Sequence, residues 1–158
     1  MPSVETKYFG VLLYTGESVF NFPQGLPAFE QEKAFVVIET PEKAPLVFLQ
    51  SLARPSLCFV TFPILVVDQS YRMAIAPEDL EELGLDPGRQ PVLGAEIIAL
   101  ALVALQDELL ATANLMAPVV LSVKNRRGLQ AIRRDSIYSH EHPVAAQPAG
   151  ADGTEKAC

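Results

Sequence analysis

The sequence predicts a mainly β fold, a small open or distorted β-barrel with one or two short helices. Short apolar runs recur along the chain, and Pro and Gly separate them, as is typical of turns between strands. The 13 prolines also argue against long helices. This turn-rich series of short strands suits a small barrel, and a β-sandwich stays open as the alternative.

Strands are predicted where Val, Ile, Phe and Leu concentrate, because such side chains fit a pleated, half-buried surface. The predicted strands are Phe9–Tyr14, Ser18–Phe22, Ala34–Glu39, Leu46–Leu52, Leu57–Phe62, Met73–Ile75, Glu96–Leu105 and Val119–Val123. The stretch from Asp107 to Asn114 mixes apolar and polar residues and lacks Gly and Pro. We expect it to form a long β-hairpin, with a short helix starting near Asp107 as the alternative.

The clearest helix signal is the segment from Pro77 to Gly84. Proline suits the first helical position, early acidic residues complement the helix dipole, and glycine suits the end of a helix. Leu80 and Leu83 should face the core. The acidic residues of the segment would then form an exposed face: Glu78, Asp79, Glu81 and Glu82.

Length and hydropathy predict one soluble domain at residues 1–143. A chain of 158 residues suits a single core. After Pro143 the residues are small and polar, so 144–158 should be a flexible tail. The start of the chain does not resemble a secretion signal, and no apolar run reaches the roughly 18 to 20 residues of a membrane-spanning helix. We therefore expect a cytoplasmic protein without membrane contact, monomeric when free.

Charge indicates the kind of partner. The formal net charge of −7 should repel nucleic acid and attract a basic protein. A basic cluster in the last third could still be a nucleic-acid patch, but no aromatic interleaving accompanies it, and solvated strand ends are the preferred interpretation. The cluster consists of Lys124, Arg126, Arg127, Arg133 and Arg134.

Catalytic and cofactor motifs are missing from the sequence. Neither the phosphate-binding glycine motifs nor a serine nucleophile elbow occurs. His140 and His142 alone do not complete a zinc site, and Cys58 lies in an apolar run where a buried side chain is expected. We predict no enzyme activity, no metal and no cofactor. A hydrolase or metal enzyme that uses His140, His142 and Asp68 stays open as the alternative, and so does an oligomeric structural module.

Several segments resemble, in order, the FliW family of flagellar assembly factors, over roughly residues 4–143. The segments are Thr6-Lys7-Tyr8-Phe9-Gly10, Phe20-Asn21-Phe22-Pro23-Gln24-Gly25-Leu26-Pro27-Ala28-Phe29-Glu30, Pro45-Leu46-Val47-Phe48-Leu49-Gln50-Ser51, Asp68-Gln69-Ser70-Tyr71, Thr112-Ala113-Asn114-Leu115-Met116-Ala117-Pro118-Val119-Val120, Gly128-Leu129-Gln130-Ala131-Ile132, Tyr138 and His142-Pro143. Ala28 stands where the family commonly has glycine, so we expect this position not to need a dihedral that only glycine adopts.

The resemblance implies a β-rich barrel and a switch that works by protein binding. Proteins of this family bind flagellin and the RNA-binding translational regulator CsrA, and competition between the two couples flagellin export to its synthesis. The residues expected to contact partners are Gln50, Tyr71, Glu78, Asp79, Glu81, Glu82, Asn114, Met116, Pro118 and Gln130. In this scheme the acidic surface steers the basic regulator, and exposed apolar residues near Met116 and Pro118 hold it.

Overall fold

The computed structural model describes residues 2–105, 110–132 and 137–145. The strands are β1 (Ser3–Thr6), β2 (Gly10–Leu13), β3 (Val19–Asn21), β4 (Ala34–Ile38), β5 (Val47–Ser51), β6 (Cys58–Pro63), β7 (Ile97–Leu105), β8 (Leu110–Ala113), β9 (Val119–Ser122), β10 (Arg127–Gln130) and β11 (His142–Ala145). Helix α1 spans Ile64–Val67 and helix α2 spans Pro77–Glu82.

Seven of the described strands close into a barrel, which confirms the predicted fold class. Their order around the barrel is β7, β6, β5, β4, β3, β10 and β9, and β9 pairs with β7 to complete the ring. The long strand β7 makes this closure possible, because Ile97–Leu100 pairs with β9 while the following residues pair with β6 and then with β8. Strands β8 and β11 extend the sheet beyond the barrel.

The barrel interior follows the two-residue alternation of strands, in which successive side chains point to opposite faces. Phe35, Leu49 and Val119 are fully buried in one cluster inside the barrel. Phe22 fills the lumen beside them and meets Phe35 edge to face with ring centroids 5.2 Å apart. A Cβ on Gly128 would lie only 2.5 Å from the Phe22 ring, so β10 needs glycine where it passes this ring.

Two further layers cover the outside of the barrel. The hairpin of β1 and β2 lies over β4, β5 and β6, where Val36 and Phe48 are buried beneath Phe9 and Leu12. On the opposite side, Leu80 of α2 and Leu83, directly after it, are buried against Ile97, Val120 and Leu129. The barrel strands are therefore apolar on both faces, as the continuous apolar runs of the sequence indicate.

The segment from Phe22 to Glu30 forms a tight turn, which Pro23 and Pro27 stiffen. Gly25 has φ +64°, and a Cβ there would lie 2.6 Å from backbone atoms of Glu30, so only glycine fits. Phe29 packs edge to face on Phe59, with ring centroids 5.4 Å apart. The expectation for Ala28 is wrong: its φ is +72°, in the left-handed region that favours glycine.

Most of the strand predictions are confirmed within one or two residues, but Met73–Ile75 is not a strand. The amide side chain of Gln90 takes the place of a neighbouring strand, since its Oε1 accepts from Ile75 N at 2.9 Å and its Nε2 donates to Ile75 O at 3.0 Å. Ile75 is buried in one cluster with Leu80 and Leu83, and this core position explains why an apolar residue stands there without a strand. Helix α1, a single apolar turn directly after β6, was not predicted from the sequence.

The β-hairpin expected over Asp107–Asn114 is confirmed for the described part of that stretch. Strand β8 pairs antiparallel with β7, so the helical alternative is wrong for Leu110–Ala113. The rest of the ambiguous stretch, 107–109, lies outside the described residues. The predicted tail begins inside β11, which continues to Ala145, two residues past the predicted domain boundary; the remainder of that tail, 146–158, lies outside the described residues.

Candidate functional site

Helix α2 carries the predicted acidic face, defined as Glu78, Asp79, Glu81 and Glu82. Glu78 and Glu81 are exposed, while Asp79 and Glu82 are half-buried. Burial, and next the charge of Glu78, raise the pKa of the Asp79 carboxyl. Like charges are therefore crowded on one short helix, and a cation that approached them would relieve their mutual repulsion.

The end of α2 is tied to the turn between β9 and β10. Asn125 Nδ2 donates to the carbonyl oxygens of Leu83 and Gly84 at 3.1 and 3.0 Å, and Arg127 Nη1 donates to Glu82 O at 3.2 Å. These donors satisfy carbonyls that a helix end leaves unpaired. The acidic face is thus held rigidly against the barrel.

The basic cluster of the sequence does not act as one patch in the described residues. Arg127 donates a hydrogen bond to Glu82 O of α2, and the Arg126 guanidinium lies over the Phe20 ring, 5.4 Å from its centroid. Two further members, Arg133 and Arg134, lie outside the described residues.

Gln50 does not lie on the surface, contrary to expectation. Its side chain is fully buried, and Nε2 donates to the carbonyl oxygens of Ser51, Arg54 and Pro55 at 3.0 to 3.3 Å. Strand β5 is covered on both faces, so a polar residue on its outer face is buried under the turn that follows. Gln50 shapes the connection between β5 and β6, and a partner cannot reach it in this state.

Tyr71 is also buried, at 4% exposure. Its hydroxyl donates to Leu115 O at 2.6 Å, and its ring packs on Tyr138 with centroids 4.3 Å apart. The backbone N–H of Tyr71 donates to Asp68 O at 3.1 Å, so Tyr71 closes a turn. Tyr71 fastens the segment after α1 to the segment after β8.

The turn after β8 explains the next group of predicted contact residues. Asn114 Oδ1 accepts from the backbone N–H groups of Met116 and Ala117, each at 3.0 Å, which makes Asn114 a turn former. Gln130 Nε2 donates to Ala117 O at 2.9 Å and holds β10 to this turn. Pro118 is buried and Met116 half-buried, so the expected exposed apolar surface is absent at Pro118.

One end of the barrel is open to solvent, and this opening is here called the barrel mouth. It leads into a cavity of about 440 Å³. Inward-facing apolar side chains line it: Phe20, Val37, Val47, Ile98, Leu100 and Leu121. Three charged side chains also line it, namely Glu17, Glu39 and Arg126. The strand pattern indicated inward-facing residues but not which end of the barrel stays open.

The residues of the enzyme alternative do not meet at this cavity. His140, His142 and Asp68 are absent from its lining. In the described ranges, no three His, Cys, Asp or Glu side chains are grouped to hold a metal ion. His140 pairs with Glu141 at 3.6 Å, and Asp68 Oδ1 accepts from Ser70 N at 2.9 Å within a turn.

The loop before β7 is held by one ion pair. Arg89 donates through both terminal nitrogens to Glu96, at 3.0 and 2.6 Å, and Glu96 also accepts from Val92 N at 2.8 Å. The hydrogen bond from Arg89, followed by that from Val92, lowers the pKa of Glu96 to about 2. The loop beside the barrel mouth is thereby ordered.

No helix in the described residues is both long and apolar enough to span a bilayer.

Together these features define a small closed β-barrel domain that presents an acidic helix and an open barrel mouth. Known proteins resemble this chain in both sequence and structure. The family model of the FliW protein matches residues 3–144. The chain belongs to the FliW family of flagellar assembly factors.

Individual relatives support the assignment along nearly the whole chain. The flagellar assembly factor FliW of Syntrophomonas wolfei is 35% identical over 141 residues, which cover 89% of this chain and 87% of the relative. That of Heliobacterium modesticaldum is 32% identical over 153 residues, 97% of either chain. A crystal structure of the flagellar assembly factor FliW matches with a TM-score of 0.77 at 28% identity, covering 89% of this chain and 95% of the other.

Proposed function

We propose that this chain is a cytoplasmic, non-enzymatic regulator that binds flagellin and the RNA-binding translational regulator CsrA in competition. The observation that carries the proposal is membership of the FliW family over residues 3–144. Flagellin that awaits export occupies the factor, and the free regulator then represses flagellin synthesis. Export of flagellin releases the factor, which binds the regulator and lifts repression.

The charge of the chain supports a basic partner. The net charge is −7, and the acidic face places exposed carboxylates on a rigid helix. Such a field attracts a positively charged protein over a distance of about one Debye length, roughly 8 Å at physiological salt, and raises its association rate. In this proposal the acidic face sets the rate of encounter with the regulator.

The apolar contacts that hold the complex have to come from surfaces other than Pro118, because that residue is buried. Large apolar side chains are exposed at several other places, notably Val11 and Leu13 of β2 and Val66 of α1. Charged residues at the rim of an interface change the association rate more than the affinity. The complex therefore needs such buried apolar contacts in order to dissociate slowly.

The proposal is tested with the purified chain, flagellin and the regulator of the same organism. Titration calorimetry should give binding of each protein alone, and prior saturation with flagellin should abolish binding of the regulator. If the chain binds neither protein, the proposal is wrong. If it binds both at once with unchanged affinities, the competitive scheme is wrong.

The steering role has its own matched variants. Replacing Glu78 and Glu81 with Gln should lower the association rate with the regulator and reduce its dependence on salt. The control replaces Glu5 and Glu42 with Gln, since both are exposed, lie outside α2 and change the net charge equally. An equal effect of both variants in stopped-flow measurements would assign steering to overall charge and not to the acidic face.

A further inference from the structure

The barrel mouth is an unfilled apolar cavity in an otherwise packed barrel. Phe22, Phe35 and Leu49 fill the lumen with exposures of 0%. At the other end, where β3 begins and β4 ends, a space of about 440 Å³ opens to solvent. Protein interiors pack densely, so a space of this size lined by apolar groups is a place for another molecule to fill.

The charges at the mouth are predominantly negative. Glu17 and Glu39 are exposed carboxylates, against the single guanidinium of Arg126. Arg126 has φ +57° and is held by backbone hydrogen bonds to Ser122 and Asn21, both at 2.9 Å, with its guanidinium over Phe20. The opening therefore offers two carboxylates to a cation and one donor group to a carbonyl oxygen.

Apolar surface continues outside the cavity. Ile98 lines the cavity and is 38% exposed. Val66 and Val92 are each 56% exposed and directly follow or precede the lining residues Leu65 and Leu93. These three exposed side chains, here called the collar, extend the apolar surface beyond what a small ligand inside the cavity would cover.

We propose that the barrel mouth binds a segment of a partner protein that inserts one large aliphatic or aromatic side chain flanked by Lys or Arg. The inserted side chain fills the cavity, the flanking cation meets Glu17 and Glu39, and the segment covers the collar. Arg126 donates to a main-chain carbonyl of the segment. The negative rim disfavours a small amphiphile with a carboxylate head, which would meet two like charges.

The inference rests on the proposed function, because it assigns the segment to the basic partner of the two, the translational regulator. Basic flanking residues match the two carboxylates, and this charge complementarity is the reason for that choice. None of the four side chains of the acidic face lines the mouth, so the mouth supplies a second, apolar contact to a partner that the acidic helix attracts.

The mouth itself is tested on the full chain with short peptides, without the partner. The probes are N-acetyl-Lys-Phe-Lys-amide, N-acetyl-Glu-Phe-Glu-amide and dodecanoate. In amide NMR spectra the cationic peptide should shift Leu65, Gly94 and Ile98, and the anionic peptide should shift them far less at equal concentration. Stronger saturable binding of dodecanoate, or the same shifts on concentrating the free chain alone, would overturn the assignment in favour of a lipid-like ligand or a second copy.

The assignment to the partner is tested with Ile98→Ser, matched by Ile132→Ser. Ile132 is 59% exposed and does not line the cavity. Ile98→Ser should weaken binding of the regulator about tenfold, as expected when one aliphatic side chain loses its buried contact, whereas Ile132→Ser should change it less than about twofold. Val66→Ser is the second variant, since it lies outside the lumen and does not threaten folding.

The outcomes separate this inference from the proposed function. If the regulator binds wild type and both Ile98→Ser and Val66→Ser equally well, the mouth is not its site, although the proposed function stands. If neither proposed partner binds wild type but the cationic peptide still shifts the mouth residues, the assignment to the regulator is overturned along with the proposed function. Circular dichroism of each variant confirms that its fold is intact.

Discussion

Replacing Ala28 with glycine should stabilise this protein. Ala28 has φ +72°, a conformation that costs an L-residue about 1–2 kcal/mol because its Cβ crowds the following carbonyl. Glycine removes that cost, but it gains conformational entropy in the unfolded chain, which offsets about 0.4–1 kcal/mol. The net gain in the free energy of unfolding should therefore be about 0.5–1 kcal/mol.

Urea denaturation followed by circular dichroism measures this change, and thermal unfolding should report a rise of about 1–4 °C in Tm for a chain of this length. The matched control is Ala95→Gly. Ala95 is exposed, and among the described non-glycine residues only Ala28 and Arg126 have positive φ. The control should thus lose about 0.4–1 kcal/mol through the unfolded state alone.

The difference between the two variants isolates the backbone conformation. It should amount to about 1–2 kcal/mol in favour of Ala28→Gly. If both variants lose the same stability, Ala28 does not hold a left-handed conformation in solution, and the reasoning about this turn is refuted.

Three further predictions concern the barrel and its loops. Gly128→Ala should lower the free energy of unfolding in urea by at least about 1–3 kcal/mol, because its Cβ would overlap a buried ring, whereas Gly16→Ala, with no atom within 4 Å of its Cβ, should be nearly neutral. The pairing with Arg89, as the main cause, lowers the pKa of Glu96 from 4.5 to about 2. The ionised Glu96 carboxylate therefore stabilises the folded state fully above pH 4.5, and this stabilisation is lost as the pH falls through 2. Glu96→Gln should therefore remove part of the acid sensitivity in that window, measured by urea midpoints at stepped pH. Tyr71→Phe should cost about 1 kcal/mol by deleting a buried hydrogen bond, and unchanged thermal unfolding would contradict that role.

Strand and helix positions could be predicted because they depend on local patterns. Continuous apolar runs mark β4 and β9, and the proline and glycine around α2 mark its ends. Segments that lack a local signal were missed. Strand β10 is short and contains Gly128 and Gln130, and it is a strand because β9 pairs with it along its whole length.

Partner-contact residues were predicted less well than the fold, because exposure is a property of the packed molecule. Gln50 and Tyr71 carry polar groups that suit a surface, yet both are buried and bonded to carbonyl oxygens. A polar residue in a strand covered on both faces cannot be recognised from its neighbours in sequence. The acidic face was predictable because α2 covers the barrel with one side only.

The sequence by itself determined the fold class, the helix at Pro77, the acidic charge and the family resemblance, since composition, periodicity and turn chemistry act over a few residues. Tertiary structure decided which strands close the barrel, which polar side chains are buried and where an apolar cavity opens. These features join residues far apart in the chain: the barrel mouth brings Glu17, Glu39 and Arg126 to one opening. Only the packing of the strands against one another sets such distances, and for that reason the binding surface could not be predicted from local sequence.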